Sequence, residues 1–307
     1  MNAIPNKKPR PLLAVLLLFT IPILIGAAIS PSVFNFLREL GETTDSYQKL
    51  TTASFERITN RCVMLVAVII LYPVIRMTGL WPDVKKGLAP SSERMRDLYA
   101  SMLIGGLSMS MVFLVGWQLG AFEMSPRLPG IGKITAKVAG FATGAVFIGV
   151  FEEIFFRGFV FGALRIRLGF TAALVVSSII FSGIHFFRPM HPEEITVAEW
   201  SSGFALIPHM FARFEWERDM MFATTLFVMG LTLATFYHRR GNLYFIIGLH
   251  GSWVLAMQAG AFIFNRKRDV LPVWFGDSDF ASKGLLALII VSIFYGIALR
   301  SRKRVDS

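Results

Sequence analysis

Residues Val138–Leu164 read VAGFATGAVFIGVFEEIFFRGFVFGAL. The run is apolar over a length that crosses a bilayer core, which takes about 20 residues. Near its middle stand Glu152, Glu153 and Arg157. A charge at the centre of a spanning helix costs about 2.5–3.5 kcal/mol on insertion scales. An apolar helix that keeps three ionisable residues therefore points to a membrane protein with a task for them.

Composition supports the membrane reading. The 307-residue chain is 54% hydrophobic and only 17% charged, with 29 Phe and 14 Met. Its mean hydropathy is +0.58. A soluble chain of this size needs more charge to wet its surface. The single cysteine, Cys62, excludes an intramolecular disulfide and reads as a small buried hydrophobe. A net charge of +11 in a soluble protein would suggest nucleic acid. With no basic helix or aromatic-basic module present, it reads here as basic loops facing anionic lipid, and no nucleic-acid partner is expected.

Eight apolar stretches are expected to span: Leu12–Ile29, Cys62–Met77, Leu98–Trp117, Val138–Leu164, Phe170–Phe187, Met221–Tyr237, Leu243–Phe264 and Leu285–Leu299. The second is short and should extend back toward Phe55. The first follows Lys7, Lys8 and Arg10 and could serve as a signal peptide, but its apolar run is long and its cleavage site poor. The expected fold class is all-α, a polytopic membrane protein with about eight transmembrane helices. Residues 1–307 are expected to form a single polytopic membrane domain.

An even number of spans puts both termini on one side. That side would also carry the tight turns Arg165–Arg167 and Arg239–Arg240 and the loop with Lys85, Lys86, Arg94 and Arg96. Basic residues mark the cytoplasmic face. The expected location is thus the bacterial inner membrane with both termini cytoplasmic. The long opposite loop, Arg188–Met220, is rich in Trp, Phe, His and Glu, and reads either as an interfacial lid or as a headgroup-level segment.

Within the fourth span, Glu153 and Arg157 are four apart with the acid first, the favourable order for a helical ion pair. A purely structural salt bridge accounts for both. Glu152 lies about 100° round the helix, and its own i+4 neighbour is Phe156. It has no partner on its own helix. A buried carboxylate without a partner suits a general base.

Two histidines fall in other spans: His185 in Phe181-Ser182-Gly183-Ile184-His185, and His250 in Gly248-Leu249-His250-Gly251-Ser252-Trp253. A lone histidine on an apolar helix is more often a hydrogen-bonded core residue than a catalytic one. Depth argues otherwise. From the turns that precede or follow them, Glu152, His185 and His250 lie about 20, 24 and 14 Å into the membrane at helical rise. All three can share one level. His191, His209 and His238 lie in the loop or at a span end, where solvation accounts for them. Gly140 and Gly144, four apart, suggest a small-residue packing face, as do Gly149, Gly183, Gly248 and Gly251.

Taken in order, Glu152-Glu153-Ile-Phe-Phe-Arg157, Phe181-Ser-Gly-Ile-His185 and His250-Gly-Ser-Trp-Val254 resemble the motifs of the CPBP family of CAAX proteases and bacteriocin-processing enzymes. That family includes the type II CAAX prenyl endopeptidases and relatives of lysostaphin resistance protein A. The resemblance implies an intramembrane glutamic-type endopeptidase with a catalytic core at about 136–264. It implies Glu152 as general base, His185 as its helper in activating water, and His250 as the contact for the developing oxyanion. Glu153 and Arg157 would order the site. One position departs: where many members carry Asn or Asp four residues after the last histidine, this chain has Val254. Trp253 is a candidate replacement donor.

The partners implied are the lipid bilayer and a peptide or membrane-protein substrate. No cofactor is expected. The same trio, Glu152, His185 and His250, can instead bind zinc, since two His and one Glu form a known catalytic ligand set. A proton-coupled transporter would also use intramembrane Glu and His, though no inverted repeat is visible. A non-catalytic scaffold with a degenerate site is a third reading.

Overall fold

The computed structural model describes residues 11–43, 51–126, 128–187, 195–212, 214–278 and 281–301. Lys7, Lys8, Arg10, His191 and the basic residues Arg302, Lys303 and Arg304 near the C-terminus lie outside them. The described chain is almost wholly helical: α1 Pro11–Thr43, α2 Phe55–Met77, α3 Trp81–Leu88, α4 Ser92–Gln118, α5 Ile131–Glu153, α6 Gly162–Ile184, α7 Ser202–Ala205, α8 Trp216–Arg240, α9 Tyr244–Ile263, α10 Pro272–Phe275 and α11 Leu285–Arg300. Between α5 and α6 runs a π-helix, Ile154–Phe161.

Among the described residues, six stretches are long and apolar enough to cross a membrane. One, Ile131–Ile184, is 54 residues long and is two helices joined at Gly169. Gly169 has φ 75° and ψ −179°, a conformation open to glycine and closed to L side chains. It makes the turn expected between the fourth and fifth spans. The last apolar helix, α11, has 16 residues and is shorter than the about 20 of a full span. The chain is thus a helical integral membrane protein. α1 continues past its expected end to Thr43, while α2 starts at Phe55, as expected, behind a Ser54 cap.

The chain divides into two compact units. The first comprises residues 1–81 and 183–215. Here Phe34, Phe55, Ile58, Cys62, Ala198 and Leu206 form one apolar cluster, with Cys62 buried and free as expected. The side chain of Asn35 pairs with the backbone of Ala198, donating to its carbonyl at 2.8 Å and accepting from its N–H at 3.1 Å. A Cβ at Gly203 would collide with the Ala27 carbonyl. The described part of the long loop is therefore docked on α1, while Val197, Trp200 and Phe211 remain exposed.

The second unit comprises residues 82–182 and 216–307. α9 crosses α5 where Gly149 meets Gly251, and crosses α4 where Gly248 meets Ser101 and Leu98. These glycines do serve close packing. Gly140, Gly144 and Gly183 do not, since a Cβ on any of them would meet nothing within 4 Å. The expected packing face at Gly140 and Gly144 has no occupant within the described chain.

A short antiparallel ribbon pairs β1 Phe122–Met124 with β2 Phe264–Arg266, an element the apolar pattern did not announce. Arg266 secures it, donating to the carbonyls of Gly276 (3.0 Å), Ala121 (2.9 Å), Val270 (2.8 Å) and Lys267, between the rings of Phe122 and Phe275. Burial pushes its guanidinium pKa down, against the opposing pull of Asp277 and Asp269.

Candidate functional site

Glu152 and Glu153 close α5, and Arg157 lies one turn on, inside the π-helix. π-Helical turns are rare and cluster at functional sites. Apolar periodicity gave no sign of this one. The ion pair that the spacing predicted is formed, with Arg157 Nη1 donating to Glu153 Oε1 at 2.9 Å. Both side chains are buried, at 2% and 0% exposure. Arg157 Nη2 also reaches the Gly230 carbonyl of α8 at 3.4 Å.

Glu153 has a second partner that the sequence did not reveal. His250 of α9 brings Nδ1 to the same Glu153 Oε1 at 2.7 Å. Since a carboxylate only accepts, Nδ1 carries the hydrogen. The other ring nitrogen, Nε2, then faces Glu152, with Oε2 at 4.0 Å. That Glu152 oxygen is buried and has no hydrogen-bond partner among the described residues, and neither has Glu153 Oε2. The Glu152 side chain as a whole keeps 24% exposure. A gap of 4.0 Å is too long for a direct hydrogen bond and of the span that a bridging water fills.

Close packing makes this arrangement. Gly149, one turn before Glu153, lets α5 and α9 approach to backbone contact. His250 is carried on α9 between Gly248 and Gly251, where both crossings occur. Phe181 of α6 adds a wall, its ring 6.0 Å from the His250 imidazole and 4.5 Å from the Arg157 guanidinium.

The other candidates stand on other elements or in other roles. His185 stands one residue beyond the end of α6, half-buried, in a turn closed by Phe186 N–H to Gly183 O and Phe187 N–H to Ile184 O. It belongs to the first unit, not inside a helix as the sequence suggested. Phe186 and Phe187 of that turn pack edge-on against Phe214 and Phe211. His209 lies in the long loop, and His238 ends α8, where its Nδ1 accepts from Arg165 at 3.3 Å. Trp253 is not a spare donor: its indole N–H is given to Ser108 Oγ at 3.1 Å. Val254 is half-buried on α9.

Catalytic zinc takes three protein ligands and an open position. No group of three His, Cys, Asp or Glu side chains suited to a metal stands together among the described residues. Of the trio Glu152, His185 and His250, the second unit holds Glu152 and His250.

The second unit thus holds a buried carboxylate, a partly exposed one and an imidazole together inside an apolar helical bundle. Residues 134–256 match the Rce1-like family model, described as Type II CAAX prenyl endopeptidase Rce1-like, in agreement with the resemblance to the CPBP family. The matched segment contains Glu152, Glu153, Arg157, His185 and His250 and ends just past Val254. No curated protein matches the chain.

Proposed function

We propose that this protein is an intramembrane endopeptidase of the glutamic type, hydrolysing a peptide bond with water activated by Glu152. The observation that carries the proposal is the pair Glu152 Oε2 and His250 Nε2: 4.0 Å apart, the oxygen buried without a partner, the imidazole oriented by Glu153. A carboxylate is costly to bury unpaired, and a water between these two atoms would satisfy both.

In the proposed reaction Glu152 takes a proton from that water as the oxygen attacks the substrate carbonyl. His250, protonated, donates from Nε2 to the developing oxyanion while Nδ1–H stays on Glu153. With His250 charged, two carboxylates face two cations, and the buried group is neutral overall. Collapse of the tetrahedral intermediate breaks the C–N bond, and Glu152 returns its proton to the leaving amine. His185 enters from the resemblance alone, as a second partner of the water. The catalytic core would be about 136–264, within a chain forming one polytopic membrane domain.

The orientation proposed has both termini in the cytoplasm of a bacterial cell membrane. In the second unit the basic segments converge. Arg165 contacts His238, Arg240 pairs with Asp97 at 2.9 Å, and Arg94 binds the carbonyls of Lys86 and Ala89. Such a basic end marks the cytoplasmic side.

One observation favours a second reading, a non-catalytic scaffold: Val254 offers no donor, and the Trp253 N–H is already used. Both readings meet the same experiment. Membrane proteins from cells with and without the chain are compared for changed termini, and candidate peptides are offered to the reconstituted protein. Cleavage lost in Glu152→Gln supports the peptidase; cleavage unchanged in Glu152→Gln overturns the assignment of the base. Activity that disappears together with a stoichiometric zinc on chelation would overturn the metal-free mechanism.

A further inference from the structure

Arg157 is among the largest fully buried side chains, at 2% exposure. Its five N–H donors meet Glu153 Oε1 at 2.9 Å and the Gly230 carbonyl at a long 3.4 Å. The third partner is a ring. Phe181 presents its face to the guanidinium at 4.5 Å, and Phe156 lies behind at 5.9 Å. Phe181 is itself 0% exposed and stands 6.0 Å from the His250 imidazole, the planes at 74°. One ring therefore touches both groups that donate to Glu153 Oε1.

We propose that Phe181 is a positioning residue of the site: its ring face holds Arg157 on Glu153, and its edge sets the His250 ring so that Nδ1 reaches Glu153 and Nε2 faces Glu152. A desolvated guanidinium is attracted to the negative face of an aromatic ring. Without that face, Arg157 would have one carboxylate oxygen, one weak carbonyl contact and the more distant Phe156 ring, and could swing toward Glu153 Oε2, which has no partner among the described residues. Glu153 would then be pulled from the imidazole. Phe181 touches no substrate in this arrangement; it acts through Arg157 and His250. The kinetic part of the inference rests on the peptidase reading, and the geometric part does not.

A plain space-filling role would depend on the shape of residue 181, whereas a positioning role depends on its quadrupole. Fluorination separates the two, because it drains the ring face at nearly constant shape. The experiment places phenylalanine, difluorophenylalanine and pentafluorophenylalanine at position 181 of the full chain in nanodiscs. The first readout is the 15N spectrum of the His250 imidazole, assigned by its loss in His250→Asn. The expected result is stepwise loss of the Nδ1–H signature with fluorination, at constant thermal unfolding midpoint. The second readout is cleavage, where kcat falls about tenfold across the series with KM unchanged.

A His250 spectrum constant across the series overturns the proposal, as does a Phe181→Leu variant that changes unfolding and leaves the spectrum intact. If the spectrum changes while no form of the protein cleaves any peptide, the positioning role stands and the peptidase reading falls.

Discussion

Glu153 and His250 stand 97 residues apart in sequence and 2.7 Å apart in the structure, the shortest polar contact of the buried cluster. This contact changes what Glu153 does. The i+4 spacing makes it a salt-bridge partner of Arg157, and it is one. Yet the same oxygen, Oε1, also receives the imidazole. Glu153 thus links the π-helical turn to α9 and fixes which nitrogen of His250 is presented to Glu152. The adjacent carboxylates have different surroundings: Glu153 is fully buried and holds the imidazole, and Glu152 is partly exposed, with one oxygen that has no partner among the described residues.

Replacing Glu153 by Gln should therefore impair catalysis without emptying the site. The amide oxygen can accept from only one orientation, and its NH2 group repels an Nδ1–H. The His250 tautomer would no longer be fixed, and kcat should fall about 10²–10⁴-fold with KM little changed, a range set by loss of a general acid–base group or of its orienting partner. Steady-state cleavage by reconstituted protein checks this. A kcat within a factor of about three of wild type, well below a tenfold (about 1.4 kcal/mol) effect, would remove Glu153 from the mechanism.

Much of this was legible in the sequence because the membrane simplifies the code. Span positions follow from hydropathy, the turn at Gly169 from basic residues and glycine, and the Glu153–Arg157 pair from spacing on one helix. What failed needed tertiary information. The π-helix Ile154–Phe161 has no periodic signal in an all-apolar stretch. The commitment of Trp253 to Ser108 joins helices 145 residues apart. Gly140 and Gly144 matched a packing spacing, yet the close approach is made by Gly149 against Gly251 of another helix, because glycine spacing shows where approach is allowed, not where it happens.

Arg157 should prove costly to remove alone and cheap to remove with its partner. Arg157→Met leaves a buried carboxylate with only the imidazole beside it, and should destabilise the protein by about 3–5 kcal/mol. Glu153→Met combined with Arg157→Met should recover most of that loss, since an apolar pair of similar volume avoids the desolvation penalty. Thermal unfolding in detergent gives the comparison. Additive losses in the double variant would mean that the two residues contribute independently.

The glycines make a prediction of sign. At Gly149 a Cβ would lie 3.1 Å from the Ile247 carbonyl and 3.3 Å from the Gly251 backbone, neither of which can turn away. Gly149→Ala should destabilise by about 1–3 kcal/mol as an overpacked contact, and should weaken catalysis by pushing His250 from Glu153. Gly140→Ala and Gly144→Ala meet open space. They should leave unfolding unchanged or raise it slightly through helix propensity, by up to about 1 kcal/mol. A clear loss at Gly140 or Gly144 would show that this face of α5 is covered in the membrane by something outside the described chain.

Val254 offers the sharpest test of the catalytic reading, because there a gain is expected. The oxyanion contact in the proposed mechanism falls to His250 Nε2 alone, Val254 having no side-chain donor and the Trp253 indole being held by Ser108. Losing one such donor typically costs about 10²–10³ in kcat. Val254→Asn should restore part of that factor if the side chain at this position on α9 reaches the developing charge, and it should do so only while Glu152 is present. Trp253→Phe supplies the control. It removes one neutral hydrogen bond, worth about 1 kcal/mol of stability, and should leave kcat unchanged. A raised kcat in Val254→Asn that vanishes in the double variant with Glu152→Gln would tie the oxyanion contact to the same reaction as the base. No gain in Val254→Asn, together with a lowered kcat in Trp253→Phe, would move the donor role to Trp253 and show that its bond to Ser108 opens when substrate binds.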